Sequence, residues 1–309
     1  MKLDFETGHR QLCAAQCNGA SWRRAFRWLR SNDAWGTEGH QGGGKKMRLI
    51  SWNIARQEEP WHLLATDERI DVALLQEATA PPAGLRLDVV AGDEWRLAGW
   101  QDRKFSTAVV RCSSRVEVVA EPTLEALDAA SESDLAVSRP GSLAVATVTG
   151  ETLREPVTVV SAYAAWERPA AVEDTGWIYA DASAHRIISD IAALIGRQEG
   201  HRIIVSGDWN ILHGYGEQGS RYWGRRYQTV FDRMEALGLR FIGPQQPNGQ
   251  PPEEPADELP ADSLDVPTYR TRREDPSTGR RQLDFVFASE SIADSLTVRA
   301  LNGRDEWGP

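Results

Sequence analysis

An acid and an amide stand two residues apart directly after a short apolar run in the chain. The run 203–206 reads Ile-Ile-Val-Ser, and after a glycine it is followed by Asp208, Trp209 and Asn210. Because side chains of a strand alternate in direction, Asp208 and Asn210 could point toward one place beyond the strand end. There, a carboxylate could take a proton or bind a metal, and an amide could hold an anionic oxygen. Turns also favour these residue types, so an ordinary turn is the alternative interpretation.

Four more polar residues stand at or near the ends of apolar runs: Asn53, Glu77, Tyr163 and Asp284. Taken singly, each has an ordinary structural explanation, such as a turn residue, a solvated strand end or an ion-paired acid. Functional side chains, however, often gather where a rigid scaffold ends and its loops begin. Their repeated position predicts that these polar groups meet at one edge of a layered fold.

The elements that must position these residues follow a regular pattern from Met47 onward. Apolar runs predict strands, and apolar residues at helical spacing predict helices. The predicted strands are 48–53, 71–77, 87–90, 107–111, 116–120, 143–148, 157–163, 203–206, 282–288 and 296–300, and the predicted helices are 61–69, 183–197 and 227–237. The proline-rich acidic stretch 244–267 predicts an exposed loop. Many strands with a few helices outside them predict a single α/β (α+β) sandwich.

Composition narrows the class of protein. The chain has 309 residues, of which 41% are hydrophobic, and this is enough for a substantial core. A formal charge of −10 argues against a broad polyanion-binding surface, although a local basic groove or a metal could offset it. No apolar run approaches the roughly 18 residues that a membrane span needs. Three cysteines without an even framework favour a reducing, cytoplasmic compartment.

The first 46 residues differ from the rest, because basic residues outnumber acidic ones there by 8 to 4. We interpret residues 1–46 as a loosely ordered basic appendage or as the product of a mis-called start upstream of Met47. A targeting or membrane-surface arm is the alternative. The folded domain is expected to span 47–309.

Six short motifs occur along this domain in an order used by one large family. They are Trp52-Asn53, Gln76-Glu77, Ser161-x-Tyr163, Gly207-Asp208-Trp209-Asn210, Val266-Pro267-Thr268-Tyr269 and Arg281-Gln282-Leu283-Asp284-Phe285-Val286-Phe287. On these motifs the chain resembles the endonuclease/exonuclease/phosphatase superfamily of metal-dependent phosphoesterases. The resemblance implies a four-layered DNase I-like sandwich, in which two packed β-sheets are flanked by helices. It also implies that the domain is truncated at its C-terminus and lacks its last strand.

The resemblance implies that Glu77, with Asn53 beside it, binds a divalent cation. Mg²⁺ is the expected ion, with Mn²⁺ as a substitute, because hard oxygen ligands suit both.

The resemblance also implies the catalytic roles. Asp208 would activate or orient the attacking water, and Asn210 would hold that water and a phosphate oxygen. Tyr163 would contact the phosphate or assist the leaving group. Asp284 would orient a catalytic histidine.

That histidine lies, in the family, in a Ser-Asp-His motif near the C-terminus, and the chain stops at Pro309 before such a motif. We therefore expect a truncated or catalytically impaired chain unless another histidine serves. His185 and His213 are the candidates, with surface or capping roles as their alternatives.

The predicted substrate contacts follow the central strand. Arginine offers bidentate contacts to phosphate, and aromatic rings can stack on bases. We interpret 221–226 as an aromatic and basic loop, with a solvated helix start as its alternative. The expected contacts are Trp209, His213, Arg221, Trp223 and Arg225.

The expected function is metal-dependent hydrolysis of a phosphoester by in-line attack of water. A phosphodiester and a nuclease-like activity are favoured, and the substrate is either nucleic acid or a small phosphorylated molecule. Nothing in the sequence indicates an obligate protein partner. The alternative is a catalytically impaired protein that binds a phosphate ligand and keeps the inherited fold.

Overall fold

A computed structural model describes most of the chain from residue 46 onward. The described residues are 46–92, 95, 104–124, 131, 135–166, 180–196, 200–216, 219–270, 278–303 and 306. The predicted appendage, apart from Lys46, lies outside them.

Two mixed β-sheets form the centre of the molecule. The strands are β1 (Leu49–Asn53), β2 (Val72–Ala78), β3 (Asp88–Ala91), β4 (Ser106–Arg111), β5 (Val116–Ala120), β6 (Thr123–Leu124), β7 (Leu135–Ala136), β8 (Leu143–Gly150), β9 (Val157–Tyr163), β10 (Ile203–Asp208), β11 (Leu239–Gly243) and β12 (Asp284–Ser289). One sheet has four strands in the order β1-β2-β4-β3, and the other has six in the order β11-β12-β10-β9-β8-β5. Strands β6 and β7 form a separate parallel pair.

Helices α1 (Glu59–Thr66), α2 (Ala180–Gly196) and α3 (Arg221–Ala236) cover the outer faces of the sheets. The short α4 (Glu290–Ala293) instead packs with the cluster between the sheets through Ile292. Trp61 of α1 packs with Leu75 on the outer face of the four-stranded sheet. Ile187 of α2 and Met234 of α3 pack on the outer face of the six-stranded sheet.

A third apolar cluster, which includes Leu74 and Val159, fills the space between the two sheets. The order of layers is therefore α1, four-stranded sheet, six-stranded sheet, and α2 with α3. The predicted four-layered α/β sandwich is confirmed.

Chain direction places the beginnings of α2 and α3 at one edge of the six-stranded sheet. Strands β9 and β10 are parallel neighbours, and α2 connects them. Strand β11 also runs parallel to β10, because both are antiparallel to β12, and α3 connects them. A helix that joins two parallel strands must return against their direction. Both helices therefore start at the edge where β9 and β10 end.

Two sequence predictions about elements are wrong. The helix predicted at 227–237 begins at Arg221, so 221–226 is the start of a helix and not a loop. Ser220 caps it, since its hydroxyl accepts a hydrogen bond from the Trp223 backbone N–H at 3.4 Å. The segment 296–300, which was predicted as a strand, has no regular structure, and the unpredicted β11 follows α3.

None of the described helices is long and apolar enough to cross a bilayer.

A glycine allows β9 and β10 to approach at the end that carries the polar residues. A Cβ atom at Gly207 would lie 1.8 Å from the Ala162 carbonyl oxygen. We expect Gly207→Ala to lower the free energy of unfolding by roughly 3 kcal/mol, the upper end of typical overpacking costs. Urea denaturation measures this, with Gly196→Ala as the control because a Cβ there meets nothing within 4 Å. Equal stability of the two variants would contradict the prediction.

Candidate active site

Three polar side chains stand side by side at one end of the six-stranded sheet. Asp208, the last residue of β10, lies opposite Asp284 of β12 and opposite Tyr163 of β9. Residues directly opposite each other on neighbouring strands project from the same face of a sheet. All three side chains therefore share one face. Asp208 accepts a hydrogen bond from Asn53 and Tyr163 donates one to Glu77, so this face is the one toward the four-stranded sheet.

Two residues of the four-stranded sheet complete the group. The Asn53 amide nitrogen donates to Asp208 Oδ2 at 2.8 Å and to Glu77 Oε1 at 3.3 Å. The Tyr163 hydroxyl also donates to Glu77 Oε1, at 3.2 Å. We call Asn53, Glu77, Tyr163, Asp208 and Asp284 the acid cluster. The structure thus brings together the five residues predicted at strand ends.

A β-bulge turns Glu77 into the cluster. Leu74 packs between the sheets, whereas Leu75 packs toward α1. Simple alternation would therefore direct Glu77 toward α1, away from Asp208. The pairing of β2 with β4 shifts register between Leu75 and Ala78, and Glu77 has a left-handed backbone with φ +47°. Bulges commonly re-aim a side chain beside active sites, and this conformation costs about 1–3 kcal/mol in a non-glycine residue.

Buried hydrogen bonds between the two sheets lie next to the acid cluster and hold β2 against β9. The buried Gln76 amide donates to Ser161 Oγ at 3.0 Å, and Ser161 Oγ donates to the Leu75 carbonyl at 2.8 Å. These bonds connect β2 with β9 one step before Glu77 and two steps before Tyr163. They fix the relative position of the two strand ends that carry the acid cluster.

The environment of Asp208 and Asp284 disfavours their ionised forms. Burial raises the pKa of Asp208 well above its ordinary value, and the neighbouring Asp284 carboxylate raises it further. Burial also raises the pKa of Asp284 to about 7, against the opposing effect of a hydrogen bond with Thr268. Two adjacent carboxylates, of which Asp208 is buried and Asp284 partly buried, cannot both ionise easily without a positive charge nearby. A cation at this site would relieve that repulsion.

Asn210 holds Asp208 from the loop side. Its backbone N–H donates to Asp208 Oδ1 at 3.1 Å, and its side-chain amide donates to the Ala164 carbonyl at 3.2 Å. Asn210 has φ +52°, a conformation that asparagine tolerates better than most residues. The ordinary turn, which was the alternative interpretation of Asp208 and Asn210, is therefore present. Within this turn, Asn210 contacts Asp208.

Sequence reasoning missed Arg56 and Phe105 at the mouth of the cluster. Arg56 Nε lies 3.5 Å from Glu77 Oε2, and its guanidinium lies 5.5 Å from the centre of the Phe105 ring. The Phe105 ring meets Tyr163 edge to face at 5.8 Å. No motif surrounds either residue, so only the fold reveals their position.

Two predicted substrate contacts are wrong, because Trp209 and His213 lie behind the six-stranded sheet. Trp209 is fully buried and packs on Phe287 at 5.2 Å. His213 packs against Phe285 on the helix side, and its Nδ1 lies 2.9 Å from Asp265 Oδ1. Phe285 follows Asp284 in β12, so the two point to opposite faces. The sheet therefore separates these rings from the acid cluster, and His213 does not replace the family histidine.

His185 is also excluded as the replacement. It lies between α2 and α3, where its Nδ1 accepts from Arg233 at 2.8 Å and its Nε2 is 3.1 Å from Thr229 Oγ1. Because Arg233 can only donate, the ring proton must be on Nε2. Burial, reinforced by Arg233, lowers the pKa of this imidazole. Both ring nitrogens serve the contact between helices, so this prediction is wrong.

Arg221, Trp223 and Arg225 lie in the first turns of α3, in the outer layer of the fold. Trp223 contacts the Tyr222 and Tyr227 rings of the same helix, and the role of the three residues as substrate contacts stays a prediction.

The donor set of the cluster fits a magnesium ion that keeps most of its waters. Among the described residues, no three His, Cys, Asp or Glu side chains are arranged to enclose a metal ion. Mg²⁺ usually takes only one or two carboxylates, together with water and substrate phosphate. Glu77 suits this role because its side chain is 19% exposed, whereas Asp208 is buried. The Asn53 oxygen accepts from the Ala55 N–H at 2.9 Å, so in this arrangement Asn53 presents its donors to the acids.

Comparison with solved structures supports the fold assignment. The catalytic domain of Xenopus laevis APE2 aligns over 80% of this chain and 84% of its own, with a TM-score of 0.51 and 14% identity. The AP endonuclease LMAP from Leishmania major aligns over 80% of both chains, with a TM-score of 0.46 and 15% identity. No family model and no curated protein matches the sequence. The chain has a DNase I-like fold, as its motifs predicted.

The raised pKa of Asp284 predicts how stability depends on pH. Because the folded chain binds this proton more tightly than the unfolded chain, stability should fall as pH rises between about 4 and 7. Asp284→Asn removes this group, so the melting temperature in EDTA should fall less over that range than it does in the wild type. Thermal denaturation across pH measures the difference, with the exposed Asp262→Asn as the control. Parallel curves for Asp284→Asn and the wild type would contradict the prediction.

Proposed function

We propose that this chain hydrolyses a phosphoester, preferably a phosphodiester, in a reaction that needs a divalent cation such as Mg²⁺. The observation that carries the proposal is the junction of the two sheets, where Asn53 joins Glu77 to Asp208. A carboxylate able to bind a cation and a buried carboxylate able to take a proton lie on either side of one amide. A cation ligand and a neighbouring general base can together activate water for attack on a phosphate.

Asp208 is the proposed general base. One of its oxygens accepts from Asn53 and the other from the Asn210 N–H, so its orientation is fixed before substrate binds. Burial and Asp284 make it a stronger base than an ordinary aspartate. A base with a pKa closer to neutral transfers protons more efficiently at neutral pH.

Glu77, Tyr163 and Arg56 are proposed to act on the phosphate side. A divalent cation held at Glu77 would withdraw charge from the phosphoryl oxygens. Tyr163 presents a hydroxyl donor beside that position and can hydrogen-bond a phosphate oxygen. The guanidinium of Arg56, which lies 3.5 Å from Glu77, would then be available for a second phosphate contact.

A nucleic-acid substrate is proposed by analogy with the fold. The catalytic domain of Xenopus laevis APE2 aligns with a TM-score of 0.51 at 14% identity, and this likeness shows the fold alone.

One observation favours the alternative, a protein that binds a phosphate ligand without turnover. Among the described residues, no histidine contacts the acid cluster. Binding of a phosphate ester that is not hydrolysed, by folded protein with Mg²⁺ present, would support this alternative.

Removing the proposed base should abolish turnover without unfolding the protein. We expect Asp208→Asn to lower Mg²⁺-dependent hydrolysis of bis(p-nitrophenyl) phosphate by about 10²–10⁴-fold, the usual contribution of a general base. Its melting temperature should be unchanged or higher, because the substitution removes a carboxyl whose ionisation burial opposes. Asp262→Asn, at an exposed position, is the control. Turnover within a few-fold of the wild type would remove Asp208 from the mechanism.

Weakening the proposed cation ligand should change the metal requirement. Glu77→Gln keeps the size of the side chain but removes its charge, so the Mg²⁺ concentration for half-maximal activity should rise at least tenfold. A Mg²⁺ titration of the initial rate measures this, with Glu117→Gln, an exposed acid on β5, as the matched control. An unchanged midpoint in Glu77→Gln would show that the cation binds elsewhere.

A further inference from the structure

A groove of about 530 Å³ opens between the first turns of α2 and α3, and none of the acid-cluster residues lines it. Three arginines line it, Arg221, Arg225 and Arg226, together with Asp181 and Tyr222. We call these five residues the arginine groove. The neutral His185 and Thr229 form a polar part of its wall.

The groove carries surplus positive charge on an acidic protein. Its single acid, Asp181, is buried and forms an ion pair with Arg226. The Nε and Nη2 atoms of Arg226 lie 2.8 and 2.6 Å from Asp181 Oδ2. Arg221 and Arg225 are exposed, and no ion pair joins either of them to an acid in the described part of the chain. They stand one helical turn apart on one side of α3, where like charges repel. Their clustering on a chain of net charge −10 indicates a site for an anion.

The groove lies at the same end of the molecule as the acid cluster. Helix α2 starts after β9, which ends at Tyr163, and α3 starts after β10, which ends at Asp208. Because both helices return against their strands, their first turns sit over the sheet edge where the acid cluster lies. An extended anionic ligand could therefore reach the cluster and the groove together.

An exposed aromatic ring narrows the class of ligand. Tyr222 is 55% exposed, although large apolar rings are normally covered. The Arg226 guanidinium lies 5.6 Å from its ring centre and donates to its hydroxyl at 3.0 Å, which holds the ring in place. Arginines beside a rigid exposed ring are how proteins bind single-stranded nucleic acid, with phosphates on the cations and bases stacked on the ring.

We propose that the arginine groove binds the phosphate backbone of a single-stranded polynucleotide whose neighbouring segment lies on the acid cluster. The proposal rests on the proposed function, and it selects a polynucleotide over a small phosphorylated molecule as the substrate. Arg221 and Arg225 contact phosphates, and Tyr222 stacks on a base. Arg226, which is committed to Asp181, fixes the ring.

Salt dependence of binding tests the groove separately from catalysis. The probe is a fluorescein-labelled single-stranded DNA of about 16 nucleotides, the upper end of known site sizes. Anisotropy titrations with full-length Asp208→Asn avoid cleavage. Adding Arg221→Ala and Arg225→Ala should weaken binding at least tenfold and reduce the slope of log K against log salt by about 1.4, or about 0.7 for each lost phosphate contact. Adding Tyr222→Ala should weaken binding with little change in slope.

Two variants control for charge and for folding. Lys46→Ala with Arg154→Ala removes the same charge from exposed positions at the other end of the sheets, before β1 and between β8 and β9, and should leave the slope unchanged. Arg221→Lys with Arg225→Lys keeps the charge and should retain the slope. An unchanged slope in the double alanine variant, an equal loss in the remote control, or no binding of the oligonucleotide would overturn the proposal.

Hydrolysis of bis(p-nitrophenyl) phosphate by the wild type, measured in parallel, separates the two proposals. If the diester is hydrolysed but the slope does not depend on the arginines, only the groove is wrong. If the slope depends on the arginines but no ester is hydrolysed, the groove stands and the phosphoesterase proposal fails.

Discussion

The pairing of the Asp208 and Asp284 carboxyls is the constraint on which the candidate site depends. Strand pairing places the two carboxyls opposite each other, where they repel, and sheet packing buries Asp208 but leaves Asp284 partly exposed. Hydrogen bonds offset part of this repulsion, because Asn53 and Asn210 donate to Asp208 and Thr268 bonds to Asp284. The remaining need for positive charge is what makes this sheet edge suited to a cation and then to an anionic substrate.

The layers of the fold separate the chemistry from the proposed binding of the polymer. The acid cluster sits between the sheets, where buried hydrogen bonds from Gln76 and Ser161 limit movement. The arginine groove sits in the outer helical layer, where Arg221 and Arg225 are exposed. Such a division explains how a chain of net charge −10 could act on a polyanion, since only the groove needs to be positive.

Sequence patterns predicted the sheets and the acid cluster well, because apolar runs mark strands and polar residues mark their ends. Strand β9 was predicted at its observed bounds, 157–163. Sequence patterns did not predict features that depend on contacts between distant parts of the chain. Nothing local shows the bulge that turns Glu77, or the sheet face on which His213 lies. The start of α3 was missed because 221–226 is charged and aromatic and lacks apolar residues at helical spacing.

The central claim is that the ends of β2 and β10 together form one cation-dependent hydrolytic centre. Anomalous diffraction from crystals of the full chain grown with Mn²⁺ tests it most directly, because Mn²⁺ can replace Mg²⁺ and its position can be seen. The expected result is a peak bonded to the Glu77 carboxylate, on the side that faces Asp208. The absence of a peak there, at a Mn²⁺ concentration that supports hydrolysis in solution, would contradict the account.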